Sequence, residues 1–297
     1  MTWFLFAIFG YFLNAAVSVV DKFLLSQRAT TRPAVYTFYI GFLSIFAFVL
    51  APFGFYWPGL GQVLIALLAG ATFLIGLWYL FEAVDIGSAS RVFLTFGGLT
   101  PIVVLGLSFL FLGERLSTTQ ILAFLLLVAG GFLVSFKKEP QRKKEKRFRF
   151  IIIAVILTAI SLVLTKYVFM HQDFISGFIW TRIGSFLTAL LFLIPQELRH
   201  AIFGSGKQSK GGMSLLLISN KAVAGGATVM VSFAISLGSV SLVNALQGVQ
   251  YVFLLILTAM LSKKFPQIIH EKVTTKIIIQ KLLAILLIGA GLVILAT

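Results

Sequence analysis

Residues 137–149 read KKEPQRKKEKRFR, eight Lys or Arg and two Glu inside a chain that is otherwise mostly hydrocarbon. The stretch leaves 136 residues before it and 148 after it. A helix crossing about 30 Å of hydrocarbon needs roughly 20 apolar residues. Working outward, each flanking piece divides into five segments of about that length: 3–21, 34–53, 61–81, 92–112 and 119–136 before it, then 150–170, 174–195, 213–236, 240–261 and 279–296. Period-2 alternation is absent, which argues against a membrane barrel. The expected fold is therefore an all-α polytopic membrane protein with ten transmembrane helices.

Composition agrees. The 297 residues are 59% hydrophobic and 11% charged, against about a quarter charged in soluble domains. The formal charge of +15 lies in short loops and not along an amphipathic or aromatic-basic surface, so no nucleic-acid partner is expected. Cysteine is absent, His171, His200 and His270 stand alone in loops, and there is no P-loop. Neither a metal, a cofactor nor an enzymatic nucleophile–base pair is expected. The first 20 residues lack a basic leader and a cleavage motif and are read as a retained first span.

Counting residues at their edges, the loops after spans 1, 3, 5, 7 and 9 hold 20 of the 24 Lys and Arg. Short basic loops stay cytoplasmic, so the odd-numbered loops, including 137–149, are expected in the cytoplasm and both termini outside. The expected location is the cell's inner, plasma membrane. The sequence leaves a homodimer open.

The two pieces resemble each other. Gly87-Ser88-Ala89-Ser90 matches Gly238-Ser239-Val240-Ser241 at an offset of 151, and Gly97 matches Gly248. Ala15, Lys22 and Tyr36 fall opposite Ala159, Lys166 and Trp180 at 144, and Gln120 and Gly131 opposite Gln280 and Gly291 at 160. The offset grows across the loops around Ser205 and Lys264. The domains are read as residues 1–136, a first five-helix repeat, 137–149, a basic linker, and 150–297, a second repeat. An odd number of spans per copy inverts the second copy, an arrangement suited to exposing one central site to either membrane face in turn.

Residues 106–134, GLSFLFLGERLSTTQILAFLLLVAGGFLV, with the turn Gly113-Glu114-Arg115-Leu116, resemble the end of an EamA-type domain of the drug/metabolite transporter superfamily. The Gly-Ser-Ala-Ser entry to span 4, the ten-span count and the two repeats extend that resemblance over the chain. It departs in the second half, where Ser262-Lys263-Lys264-Phe265 replaces the Gly-Glu-Arg turn. The resemblance implies a carrier of small metabolites or drugs and fixes no substrate.

Polar side chains deep in spans are the candidates for contact with a solute, because hydrocarbon penalises them elsewhere. Asn244, Gln247 and Tyr251 share one helical face, with Gln250 beside it. Interhelical hydrogen bonding is the alternative reading. Arg182 lies about eight residues into span 7, roughly 12 Å deep, and Lys221 a similar distance into span 8; either could instead snorkel to an interface. Arg91 opens span 4, with a topogenic or phosphate-contact role as alternatives to a solute contact. Asn14, Ser18 and Asp21 form a stripe on span 1, matched by Thr158, Ser161 and Thr165 on span 6. Trp180 is a candidate whose default place is an interfacial aromatic belt. Gly97, Gly98 and Pro101 in span 4 and Gly225-Gly226 in span 8 are expected to serve close packing, with hinging as the alternative.

No Asp or Glu is central in a span, while Arg182 and Lys221 are, so the expected substrate carries an anionic group. The reading is a secondary or facilitated carrier of an amino acid or other anionic or zwitterionic solute. It would work around a midplane cavity lined by spans 1, 4 and 6 to 9. The alternatives are a flippase for a lipid-linked substrate and a non-transporting protein that binds partners through the basic loop.

Overall fold

The structure is a computed structural model that describes residues 2–26, 32–86, 89–135, 144–204, 211–262 and 275–296. The loops around Ser205 and Lys264, the residue His270 and the first half of the basic stretch, 137–143, lie outside the described residues. Among the described residues every regular element is helical. Among those residues nine helices or helix pairs are long and apolar enough to cross a membrane, and a tenth apolar stretch, Thr118–Leu133, is shorter.

The elements are α1 (Thr2–Ser26), α2 (Pro33–Leu43) continued by a 3-10 helix (Ser44–Phe53), α3 (Leu60–Ile86), α4 (Ala89–Leu112), α5 (Thr118–Ser135), α6 (Lys144–His171), α7 (Phe174–Leu191), α8 (Gln196–Gly204), α9 (Gly211–Leu237), α10 (Val240–Ala245), α11 (Gln247–Ser262) and α12 (Thr275–Ala296). Four features go beyond the sequence expectation. The helix after the basic stretch begins at Lys144, six residues early, because Lys, Glu and Arg are good helix formers. Span 4 runs as one helix through Gly97, Gly98 and Pro101, with the Thr100 hydroxyl back-bonded to the Phe96 carbonyl at 2.7 Å. Span 8 is likewise continuous through Gly225-Gly226, where an added Cβ would meet nothing within 4 Å. Span 9 is irregular at Leu246, between α10 and α11, where the backbone keeps helical dihedrals and the Leu246 N–H still donates to the Leu242 carbonyl at 3.0 Å.

The GERL turn shows how sequence sets a boundary. Gly113 takes φ 66°, a left-handed conformation that ends α4. Ser117 and Gln120 then cap α5 reciprocally. The Ser117 N–H donates to Gln120 Oε1 at 3.0 Å, and the Gln120 N–H donates to Ser117 Oγ at 3.3 Å.

The described chain forms two compact units, each drawing on both halves of the sequence. In unit 1, α1 packs on α9 and α11, and α5 packs on α12 and α11. A Cβ on Gly10 would strike Val231 and the Ala227 carbonyl, one on Gly130 the Ile288 side chain, and Gly131 faces Gly248. These are the small-residue contacts that hold helices together where no hydrophobic drive exists between them.

In unit 2, α3 is central and packs on α6 and α7, α4 packs on α6, and α2 with its 3-10 extension packs on α7. Gly70 and Gly184 bring the α3 and α7 backbones together: a Cβ on Gly70 would collide with the Thr181 carbonyl and one on Gly184 with Leu67. Ser185 Oγ donates to the Gly70 carbonyl at 3.0 Å and Ser161 Oγ to the Ala69 carbonyl at 2.8 Å, fastening α3 to both neighbours.

Candidate functional site

In unit 1 the polar stripe of α1 faces spans 8 and 9. Tyr11, on the same face as Asn14, Ser18 and Asp21, donates its hydroxyl to the Val243 carbonyl at 2.9 Å and is buried. Seven residues on, Ser18 Oγ accepts from Gln250 Nε2 at 3.5 Å and donates to the Asn14 carbonyl at 2.8 Å. Both cross-links to span 9 join residues 232 apart, so α1 and span 9 run in parallel. Half-buried Asn14 therefore stands at the level of the irregularity at Leu246.

Asn244 and Gln247 flank that irregularity. Asn244 is 8% exposed, and its Oδ1 is buried without a hydrogen-bond partner. Gln247 and Tyr251 are half-buried, in the first turns of α11.

At the C-terminal end of the stripe, Asp21 Oδ1 accepts from Asn220 Nδ2 at 2.8 Å and from Lys221 Nζ at 3.2 Å. Both ionised side chains are 25% exposed. The Lys221 charge is thus balanced by a carboxylate 200 residues away in sequence.

In unit 2, Arg182 is in no such ion pair among the described residues. Its guanidinium carbon lies 5.3 Å from the Phe73 ring centroid and 5.1 Å from that of Phe178, and its Nε is buried without a partner. The cation is held by aromatic faces, whose negative quadrupole attracts it without neutralising it. Ser44, where α2 gives way to the 3-10 helix, donates to the Arg182 carbonyl at 2.8 Å and so ties span 2 to this turn of α7.

Trp180 is two residues from Arg182, so the two leave α7 in different directions. Its Nε1 donates to the Tyr56 carbonyl at 3.1 Å, and its ring meets Phe55 and Trp57 at 5.3 and 5.4 Å. Ser176 Oγ donates to the same carbonyl at 3.0 Å. This is an aromatic cluster pinning the 54–59 loop. Arg91 falls in the first turn of α4, and its side chain lies outside the described residues.

The structure brings Asn14, Asn244, Gln247, Gln250 and Tyr251 to adjoining helices of unit 1, pairs Lys221 with Asp21, and sets Trp180 apart from Arg182. Sequence reasoning passed over Tyr11, Asn220, Ser44, Phe73 and Phe178. Tyr11 was signalled by its position one turn before Asn14; the others carried no local signal.

Helices of membrane length, with polar groups inside them, are those of a multi-pass membrane protein. Residues 1–136 match the model of the EamA-like transporter family. No curated protein matches the sequence. A solved crystal structure, titled only as that of a protein, shares the fold with a TM-score of 0.66 at 16% identity, over 98% of this chain and 94% of that one.

Proposed function

We propose that this chain is a secondary or facilitated carrier of a small anionic or zwitterionic solute that works by alternating access. The observation that carries the reading is Arg182. A guanidinium inside a membrane-length helix is costly unless it has a partner, and among the described residues this one has aromatic faces and an Nε without a hydrogen-bond partner. A carboxylate or similar group on the solute supplies the missing anion. In unit 1 the Asn244 oxygen accepts from a donor on the solute during its passage, with Asn14, Gln247, Gln250 and Tyr251 as further polar contacts.

Alternating access rests on the two halves being inverted copies, and the packing inside each unit supports that. Span 3 packs on span 6 and span 4 on span 6 in unit 2; moved on by five, these become span 8 on span 1 and span 9 on span 1, the contacts of unit 1. Gly76 meets Thr158 in the first case. Its repeat partner Ala227 meets Gly10, one turn from Asn14, the partner of Thr158, in the second. On the charge count the odd-numbered loops are cytoplasmic and both termini external, and a reporter fused after Thr297 should read as external.

The test is counterflow in proteoliposomes with pooled labelled amino acids, organic acids and sugar phosphates. Saturable uptake of an anionic or zwitterionic compound by the wild type, lost in Arg182→Ala, is expected. Uptake unaffected by Arg182→Ala, or no uptake from any pool by folded protein, would overturn the reading.

A further inference from the structure

Tyr11 lies on α1 one turn before Asn14, and its hydroxyl donates to the Val243 carbonyl of span 9 at 2.9 Å. In an uninterrupted helix that carbonyl accepts from the N–H four residues on, here that of Gln247. Among the described residues this rung is absent. The Leu246 N–H before it still reaches the Leu242 carbonyl at 3.0 Å, and the Val249 N–H after it reaches Leu246, three residues back instead of four, at 2.9 Å. The dihedral that opens the rung is ψ of Leu246, at −11°. It sets the tilt of the peptide that carries the Gln247 N–H, and it stands roughly 30° from the ordinary helical value.

Residues 242–247 hold neither Pro nor Gly. Interruptions without them come from a π-bulge or from a group inserted into the ladder. Tightening to a three-residue bond is the opposite of a π-bulge, and the inserted group is the Tyr11 hydroxyl. The turn is buried: Val243 and Leu246 are fully enclosed, and Tyr11 is 6% exposed. A buried carbonyl outside its ladder needs another donor, and Tyr11 is that donor.

Asn244 is the next residue, and its buried Oδ1 has no partner. It lies on the N-terminal side of the altered dihedral, whereas Gln247, Gln250 and Tyr251 lie on the C-terminal side. Closing the rung would therefore turn Asn244 relative to the polar side chains of α11. We propose that Tyr11 is a positioning residue: its hydroxyl holds the Val243 carbonyl out of the span 9 ladder and so sets the Asn244 oxygen against α11 for contact with the solute. This rests on the reading of Asn244 as a solute contact.

Tyr11→Phe keeps the ring and removes only the hydroxyl. Single-residue amide exchange on the full-length wild type in nanodiscs should show Gln247 exchanging about tenfold or more faster than Leu246, whose rung is intact, and the variant should bring Gln247 within about threefold of Leu246. In counterflow with whichever labelled anion the wild type takes up, Tyr11→Phe should raise KM about fivefold with the maximal rate changed less than about twofold. Asn244→Leu removes the group that Tyr11 positions, so adding Tyr11→Phe to it should leave KM within about twofold of the Asn244→Leu value. A bond that only joins helices would lower uptake alike in both backgrounds. Gln247 as protected as Leu246 in the wild type, or losses that multiply in the double variant, would overturn the proposal. Exchange is read without solute, so the two failures are distinct: a wild type that takes up nothing overturns the transport reading, and a protected Gln247 overturns the role of Tyr11.

Discussion

Lys221 in unit 1 and Arg182 in unit 2 are both cations inside membrane-length helices, and their surroundings differ in kind. Lys221 has a carboxylate at 3.2 Å and an amide helping to hold that carboxylate. Arg182 has two phenyl rings and an orphaned Nε. A balanced charge joins helices; an unbalanced one is a standing demand for an anion. The difference separates two residues that look alike in sequence, and on the proposed function the solute contact falls to Arg182 and a helix-joining role to Lys221.

The largest effect should come from Arg182. Arg182→Ala removes a charge-assisted contact of about 2 kcal/mol, so uptake in counterflow should fall more than about tenfold. No chain anion is left unpaired, so the folding free energy should change by less than about 1 kcal/mol in a denaturant titration. Asn244→Leu is the unit 1 equivalent. It replaces an unsatisfied acceptor by an apolar group of similar size, so stability should rise by about 1 kcal/mol while uptake falls several-fold.

The paired cation should behave in the opposite way. Asp21→Asn and Lys221→Met should each destabilise unit 1, and the double variant should recover about 1 kcal/mol of the summed loss in a double-mutant cycle, the modest size reflecting two partly exposed groups. A coupling near zero would remove the contrast. The smallest effect is expected at Ser44: Ser44→Ala loses the bond to the Arg182 carbonyl, costs roughly 0.5–1 kcal/mol and raises KM with little change in maximal rate.

The spans were legible because a membrane helix needs a long apolar run: among the described residues nine expected segments fall on helices or helix pairs of membrane length, and the tenth, 119–136, on the shorter α5. The stripe of Asn14, Ser18 and Asp21 was legible from its period. The pairing of Asp21 with Lys221 was not, because nothing local links residues 200 apart. The irregularity at Leu246 was hidden too: Leu-Val-Asn-Ala-Leu-Gln contains no proline, whereas Pro101 advertised a break in a helix that stays whole. Among the glycines, Gly70 and Gly184 make the close crossing, while Gly225 and Gly226 touch nothing, a distinction set by the partner helix and not by the glycine.

The most direct test of the contrast runs three proteins side by side in counterflow with whichever labelled anion the wild type takes up: wild type, Arg182→Ala and the double variant Asp21→Asn/Lys221→Met. The account predicts loss of uptake in Arg182→Ala and retention of most of it in the folded double variant. Loss in the double variant with uptake intact in Arg182→Ala would contradict it and move the anion contact to Lys221.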